Sequence, residues 1–173
     1  MKFSKEEIQN SMLLYAVTDR MWLKDGEGLT DVCRKVLENG ATFLQIREKD
    51  LDENTFEQEA EALKELCASY RVPYVVNDSV EIAMDIDADG VHVGQSDIKG
   101  RDIRAMIGPD KILGISAGTV EEAQALFILF GHALDPKNNL VDAIVIDNIR
   151  CKEGIEVLYE ECEKNGVLRD VFK

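Results

Sequence analysis

Six short and almost unbroken apolar runs, each closing on polar residues, limit most strongly what this chain can fold into. They are Leu13–Asp19, Thr42–Arg47, Pro73–Asp78, Gly90–Gly94, Ile112–Ser116 and Ala143–Asp147. Runs of this length without in-out alternation suit strands covered on both faces, as in a parallel sheet dressed with helices. Pro73 fits the first position of its strand, where no ladder donor is lost. Helical stripes lie between the runs. Phe56, Ala60, Leu63, Cys67 and Tyr70 recur at helical steps, while Glu57, Glu59, Glu61 and Lys64 take the opposite face. Leu29, Val32, Cys33, Val36 and Leu37 do the same before a stop at Asn39-Gly40. Asp78 with Glu81, and Thr119 with Glu122, have the spacing of helix-capping pairs. Strand-helix alternation implies right-handed βαβ units, and so a parallel sheet or a closed barrel.

Length sharpens that expectation. A closed α/β barrel takes roughly 250 residues and eight units, whereas this chain has 173. After Thr119 the rhythm loosens: Glu121–Phe130 and Glu153–Lys164 read as helices, but His132–Val141 carries Pro136 and Asn138-Asn139. The expected fold is therefore α/β, a TIM-barrel-like (β/α) parallel sheet, incomplete at about six βα units, in a single domain over residues 1–173. Such a sheet leaves two unpaired edges. A second copy, another chain or rearranged last strands is expected to cover them.

Composition narrows the function classes. Acidic residues number 34 against 20 basic ones, a net charge of −14, which repels nucleic acid and anionic membranes. The longest apolar stretch, Ala123–Leu134, is broken by Gln124, Gly131 and His132 and is too short to span a bilayer. Met1–Asn10 is charged and lacks the apolar run of a signal peptide. Cys33, Cys67, Cys151 and Cys162 form no C-x-x-C pair and read as small buried hydrophobes of a reducing compartment. A cytoplasmic location is expected.

Polar residues gather where the runs end. Gln45, Arg47 and Lys49 alternate along QIREKD and so share one face. Asn77 and Asp78 close the third run, Gly94-Gln95-Ser96-Asp97 follows the fourth, and Ser116 closes the fifth. In parallel α/β folds the C-terminal strand ends line one rim, so these residues converge. Arginine offers a fork to phosphate oxygens and lysine a point charge. Two carboxylates from separate strands suit Mg²⁺, a hard ion commonly shared with substrate phosphates. The set fits a diphosphate, and with the chain this acidic, local cations and a divalent metal must supply the attraction.

These residues also carry a resemblance. YAVTD (Tyr15–Asp19), GATFLQIREKD (Gly40–Asp50), VPYVVNDSVEIA (Val72–Ala83), ADGVHVGQSD (Ala88–Asp97) and ILGISAGT (Ile112–Thr119) closely resemble thiamine-phosphate synthase in order and spacing, from about residue 12 to about 126. The resemblance implies a TIM-barrel transferase joining hydroxymethylpyrimidine diphosphate to hydroxyethylthiazole phosphate, with release of pyrophosphate. It implies Gln45, Arg47, Lys49 and Asn77 as ligands of the pyrimidine diphosphate and Asp78 and Asp97 as Mg²⁺ ligands. Ser116 is implied near the pyrimidine amino group or the leaving pyrophosphate, with Arg47, Lys49 and Ser116 forming the catalytic set.

Residues 127–173 depart from the family pattern. Where the family has a P-T-x-T-K phosphate loop, the chain reads Asp147-Asn148-Ile149-Arg150-Cys151-Lys152. The family's seventh and eighth strands, which complete the thiazole-phosphate site, have no counterpart. Two further readings therefore stand beside the synthase: a non-catalytic or partner-dependent relative that binds diphosphate and metal, and a thiazole tautomerase. Arg47, Lys49, Asp78 and Asp97 argue against the tautomerase, which needs no diphosphate-metal site. Plainer roles compete at each position. Asp78 and Asp97 could be helix N-caps, Arg47 and Lys49 could pair with Glu48 and Asp50, and Asn77 could close a turn. His92, inside an apolar run, reads as a core histidine rather than a general base.

Overall fold

The computed structural model describes residues 2–97, 102–117, 119 and 122, and the backbone of 142–146. Six strands follow the apolar runs: β1 (Tyr15–Val17), β2 (Phe43–Ile46), β3 (Tyr74–Asn77), β4 (Gly90–Val93), β5 (Ile112–Ala117) and β6 (Asp142–Ile146). They form one parallel sheet in the strict order β1-β2-β3-β4-β5-β6. Five α-helices are interspersed: α1 (Lys5–Ser11), α2 (Leu29–Glu38), α3 (Glu53–Tyr70), α4 (Val80–Asp85) and α5 (Ile103–Ile107), with a 3₁₀ turn at Arg20–Trp22. Sequential parallel neighbours, joined by helices from β1 through to β5, make the fold TIM-barrel-like; among the described residues β1 and β6 do not pair with each other.

Four helices open on a side-chain cap, from Ser4, Asp52, Ser79 and Asp102, while α2 opens at Gly28 without one. The Asp52 carboxylate accepts from Thr55 N (3.1 Å) to open α3, which ends at Arg71 with φ 55°. As the stripe requires, α3 buries Phe56, Ala60, Leu63 and Cys67, together with Leu66, while Tyr70 at its end stays partly exposed. The helix α2 buries Leu29, Cys33 and Leu37 and stops at Asn39. The Thr119 hydroxyl accepts from Glu122 N (3.1 Å), as the capping pair predicted.

The first helix, α1, has no apolar run to announce it. Its signal is Ser4-x-x-Glu7, a reciprocal capping box in which Glu7 N donates to Ser4 Oγ (3.2 Å) and Ser4 N to Glu7 Oε2 (2.8 Å). These bonds, with Arg71, hold the Glu7 carboxyl down at about 2.

Strand side chains divide by parity. Leu44, Ile46, Tyr74, Val76, Val91, Val93, Leu113 and Ile115 pack beneath the helices with Leu29, Cys33, Ala60, Leu63 and Cys67. Burial pushes the Cys33 and Cys67 thiols up to about 11 and about 12, as inert core cysteines require. Phe43, Val75 and Ile112 face the other way and meet Phe3 and Ile8, so α1 plugs the lower half of the inner face. Above this apolar layer, two residues along β2 and β3, come Gln45 and Asn77, with His92 level with Asn77 and with Gly114, and Ser116 two residues beyond Gly114.

Candidate active site

The upper polar layer begins on β2. Thr18 extends the pairing of β1 and β2 past the last strand residue: its N donates to Gln45 O (3.0 Å) and its hydroxyl accepts from Arg47 N (2.8 Å). That clamp fixes the direction of the Arg47-Glu48-Lys49 segment. Glu48 turns to the helical side, where its carboxylate accepts from Arg20 Nε (2.6 Å) and has a side-chain exposure of 2%. Arg20 also pairs with Glu59 of α3. Burial raises the Glu48 pKa against the pull of Arg20. Arg47 and Lys49 take the opposite direction, and neither has an ion-pair partner among the described residues. The pairing of Arg47 and Lys49 with Glu48 and Asp50 is not what forms; Glu48 is occupied by Arg20 instead.

At the end of β3 the chain turns sharply. Asp78 adopts left-handed backbone (φ 64°), a conformation that aspartate visits as a single residue at a cost of about 1 kcal/mol. Its N donates to His92 O (2.7 Å), and Ser79 N donates to Asn77 O (2.8 Å). The cap of α4 then falls on Ser79, whose hydroxyl accepts from Ile82 N (3.2 Å). Capping by Asp78 is thus corrected by one residue, because the left-handed turn moves the extended N-cap geometry onto Ser79. Among the described residues Asp97 caps no helix either: its carboxylate accepts from Gly94 N (2.8 Å) and closes its own turn, while Asp102 caps α5. Neither carboxylate caps a described helix, and one Asp97 oxygen is held by Gly94 N.

The electrostatics bring four of the expected residues together. Burial raises the Asp78 pKa first, and the neighbouring Asp97 carboxylate, within hydrogen-bond reach, raises it further. Lys49 and Arg47 act on the same carboxyl in the opposite direction. Two cations and two carboxylates therefore face one another across the ends of β2, β3 and β4. Among the described residues no three His, Cys, Asp or Glu side chains gather into a protein-only metal cage. A pair of crowded carboxylates open to solvent is instead a donor set for a hard divalent ion that completes its shell with water or phosphate oxygens.

Gln45 and Asn77 are buried and bonded to each other, Gln45 Nε2 donating to Asn77 Oδ1 (2.6 Å), and Tyr15 Oη donates to Gln45 Oε1 (2.8 Å). Asn77 is therefore more than a turn former. Ser116 Oγ lies 2.8 Å from His92 Nε2, and Gln95 Nε2 donates to Ser116 O (2.7 Å). His92 is buried, as a core reading requires, yet its ring reaches the site through Ser116. Tyr15 and Gln95 stand inside the sequence motifs without being singled out as site residues, and Arg20 stands outside them, because an apolar-looking YAV and an isolated Arg-Met-Trp carry no pattern of their own. The segment Asp147–Lys152, Cys151, Cys162 and both expected C-terminal helices lie outside the described residues.

Comparison with known proteins adds four findings. The family model described as thiamine monophosphate synthase matches residues 14–132. The thiamine-phosphate synthase of Desulfitobacterium hafniense is 47% identical over 110 residues, covering 64% of this chain and 53% of that protein. The thiamine biosynthetic bifunctional enzyme of Saccharomyces cerevisiae is 45% identical over 126 residues, covering 73% of this chain and 23% of its own. A solved structure, the thiamine phosphate pyrophosphorylase from Pyrococcus furiosus, superposes with a TM-score of 0.62 at 31% identity, over 69% of this chain and 56% of that one. The chain thus spans about half the length of these single-function relatives and under a quarter of the bifunctional one.

Proposed function

The chain belongs to the thiamine monophosphate synthase family, and from that premise we propose that it is a Mg²⁺-dependent transferase acting on hydroxymethylpyrimidine diphosphate. One observation carries the reading: Arg47, Lys49 and Asp97 all act electrostatically on the Asp78 carboxyl at the C-terminal strand ends. Arg47 and Lys49 bind the diphosphate, and Gln45 and Asn77 orient the pyrimidine beside it. Ser116, held by His92, touches the pyrimidine amino group or the leaving pyrophosphate. Asp78 and Asp97 hold Mg²⁺, which when bound neutralises charge on the departing diphosphate. The bond between the pyrimidine methylene and the diphosphate oxygen breaks, its electron pair leaving with pyrophosphate. The thiazole nitrogen of hydroxyethylthiazole phosphate then donates its pair to the pyrimidinylmethyl cation. Preplaced guanidinium and ammonium groups stabilise the leaving anion without reorganising.

A coupled synthesis assay with both substrates and Mg²⁺, run beside Arg47→Ala, tests this. Thiamine phosphate from the wild-type chain and its loss in the variant are expected. Calorimetric binding of the pyrimidine diphosphate without product selects the non-catalytic alternative. Thiazole isomerisation without diphosphate binding selects the tautomerase. We also propose that copies of the chain associate around β1, where Leu13, Leu14, Val17 and Met21 are exposed. Light scattering after size exclusion checks this, and a well-behaved monomer overturns it.

A further inference from the structure

The inner face carries a row of three side chains whose hydrogen bonds run in one direction. Tyr15 lies level with Phe43, one inward position below Gln45, and Asn77 lies one inward position above Val75, the β3 neighbour of Gln45. The bonds therefore climb diagonally from the apolar plug to the rim: Tyr15 Oη to Gln45 Oε1 at 2.8 Å, then Gln45 Nε2 to Asn77 Oδ1 at 2.6 Å. Asn77 Nδ2 makes no hydrogen bond within the described residues and is the end of the row that meets the site.

An amide pair of this kind has two self-consistent polarities. Turning both amides over keeps the bond between them but presents Asn77 Oδ1, an acceptor, in place of the N–H donors. The phenol decides between the two. Gln45 Oε1 is the acceptor for the Tyr15 hydroxyl, and the ring packs edge-on against Phe43 at 4.5 Å between centroids. If Gln45 turned over, the hydroxyl would face an NH₂ group and its proton would be stranded in the interior, which is the costly outcome. Burial also pushes the phenol far above its usual range, so it keeps that proton.

We infer that Tyr15 is a positioning residue that locks the Gln45–Asn77 pair with its donors outward, so that the site selects a substrate bearing a hydrogen-bond acceptor beside the diphosphate. The inference deepens the proposed function and rests on it for the identity of the ligand. A ring nitrogen meets the requirement, and an N–H at the same place is rejected.

Tyr15→Phe removes the hydroxyl and keeps the ring. In the full chain with Mg²⁺, calorimetry is expected to show hydroxymethylpyrimidine diphosphate binding weakened about two- to tenfold, since an even split of polarities alone halves the competent population. Inorganic pyrophosphate, which lacks the acceptor ring, keeps its affinity. Equal weakening of both ligands, or of neither, overturns the inference. A ligand-free arm uses side-chain amide NMR. In the wild-type chain, Gln45 Nε2 protons give cross-peaks to the Asn77 side chain rather than to the Tyr15 ring, and Tyr15→Phe shifts the Asn77 NH₂ resonances two strands away. Cross-peaks from those protons to the Tyr15 ring, or an unmoved Asn77 signal, overturn the relay. Wild-type chain that binds no pyrimidine diphosphate while Asn77 responds as described refutes the proposed function instead. The cross-peak measurement needs no variant, so a poorly folding Tyr15→Phe does not stop the test.

Discussion

Replacing Gly114 with alanine inserts one methyl group between two neighbouring strands and is expected to disable the β4–β5 side of the site. Gly114 pairs with His92 in the sheet register, and a Cβ there would lie 2.4 Å from His92 Nδ1 and 3.1 Å from its Cγ. Ordinary carbon contacts settle near about 3.5 Å, so the ring would have to retreat by about 1 Å. It has little room: His92 is 6% exposed, and its Nε2 is held 2.8 Å from Ser116 Oγ. Overpacking of this kind costs about 1–3 kcal/mol, and a broken buried hydrogen bond adds about 1 kcal/mol. Gly114→Ala should therefore lose about 2–4 kcal/mol in urea unfolding, read as a lower midpoint at unchanged slope. A double-mutant cycle isolates the cause. In a His92→Ala background the added methyl meets space instead of a ring, so the same substitution should cost less than about 1 kcal/mol, leaving a coupling of at least ~1 kcal/mol. An equal cost in both backgrounds would refute the steric argument, whatever its size.

Other expectations concern charge. Arg47→Ala and Lys49→Ala should each weaken pyrimidine diphosphate binding about 10- to 100-fold by calorimetry, the usual loss for a charge-assisted bond, with little change in melting temperature. Because burial and Asp97 raise the Asp78 pKa, the folded chain binds more protons than the unfolded chain between the ordinary aspartate value and the raised one. Stability from this group is complete below that window and is lost as pH rises through it, and Mg²⁺ should restore it above the window. Thermal melts with and without Mg²⁺ across that range check the sign, and an Mg²⁺ stabilisation that grows as pH falls would contradict it. Arg20→Met leaves the buried Glu48 carboxylate unpaired and should lower stability by about 1–3 kcal/mol, less than for a fully buried pair because Arg20 is partly exposed. Protonating Glu48 removes the unpaired charge, so the deficit of Arg20→Met should shrink as pH falls, and a pH-independent deficit would point to lost packing instead.

The strands were legible because a parallel strand buried on both faces needs an apolar run, and each of the six expected runs holds a strand. The candidate rim was legible for a related reason: Arg47, Lys49, Asp78 and Asp97 stand at or just past the ends of those runs, although capping and local pairing offered each a plainer role. Local turn geometry was not. A cap at Asp78 or at Ser79 satisfies the same sequence pattern, and only the left-handed backbone at Asp78 decides between them. Glu48 sits between two cations in sequence, yet alternation sends it to the helical side and to Arg20, a partner far along the chain that spacing cannot reveal. Tyr15 belongs to an apolar run and looks like core, which it is; its hydroxyl matters only because of where Gln45 stands.

The strictly sequential order of the six strands also bears on how the molecule comes into being. Among the described residues each strand after β1 lies against the one made just before it, so its pairing waits for nothing from further along the chain. Loop closure between neighbours is short-range and the entropy spent at each step is small. A nascent chain leaving the ribosome can add one strand and helix at a time to an edge already formed, and the helix that plugs the inner face is made before any strand it covers. Synthesis from the N-terminus thus meets the sheet in the order in which it can be built, with the growing edge moving away from β1 at each stage.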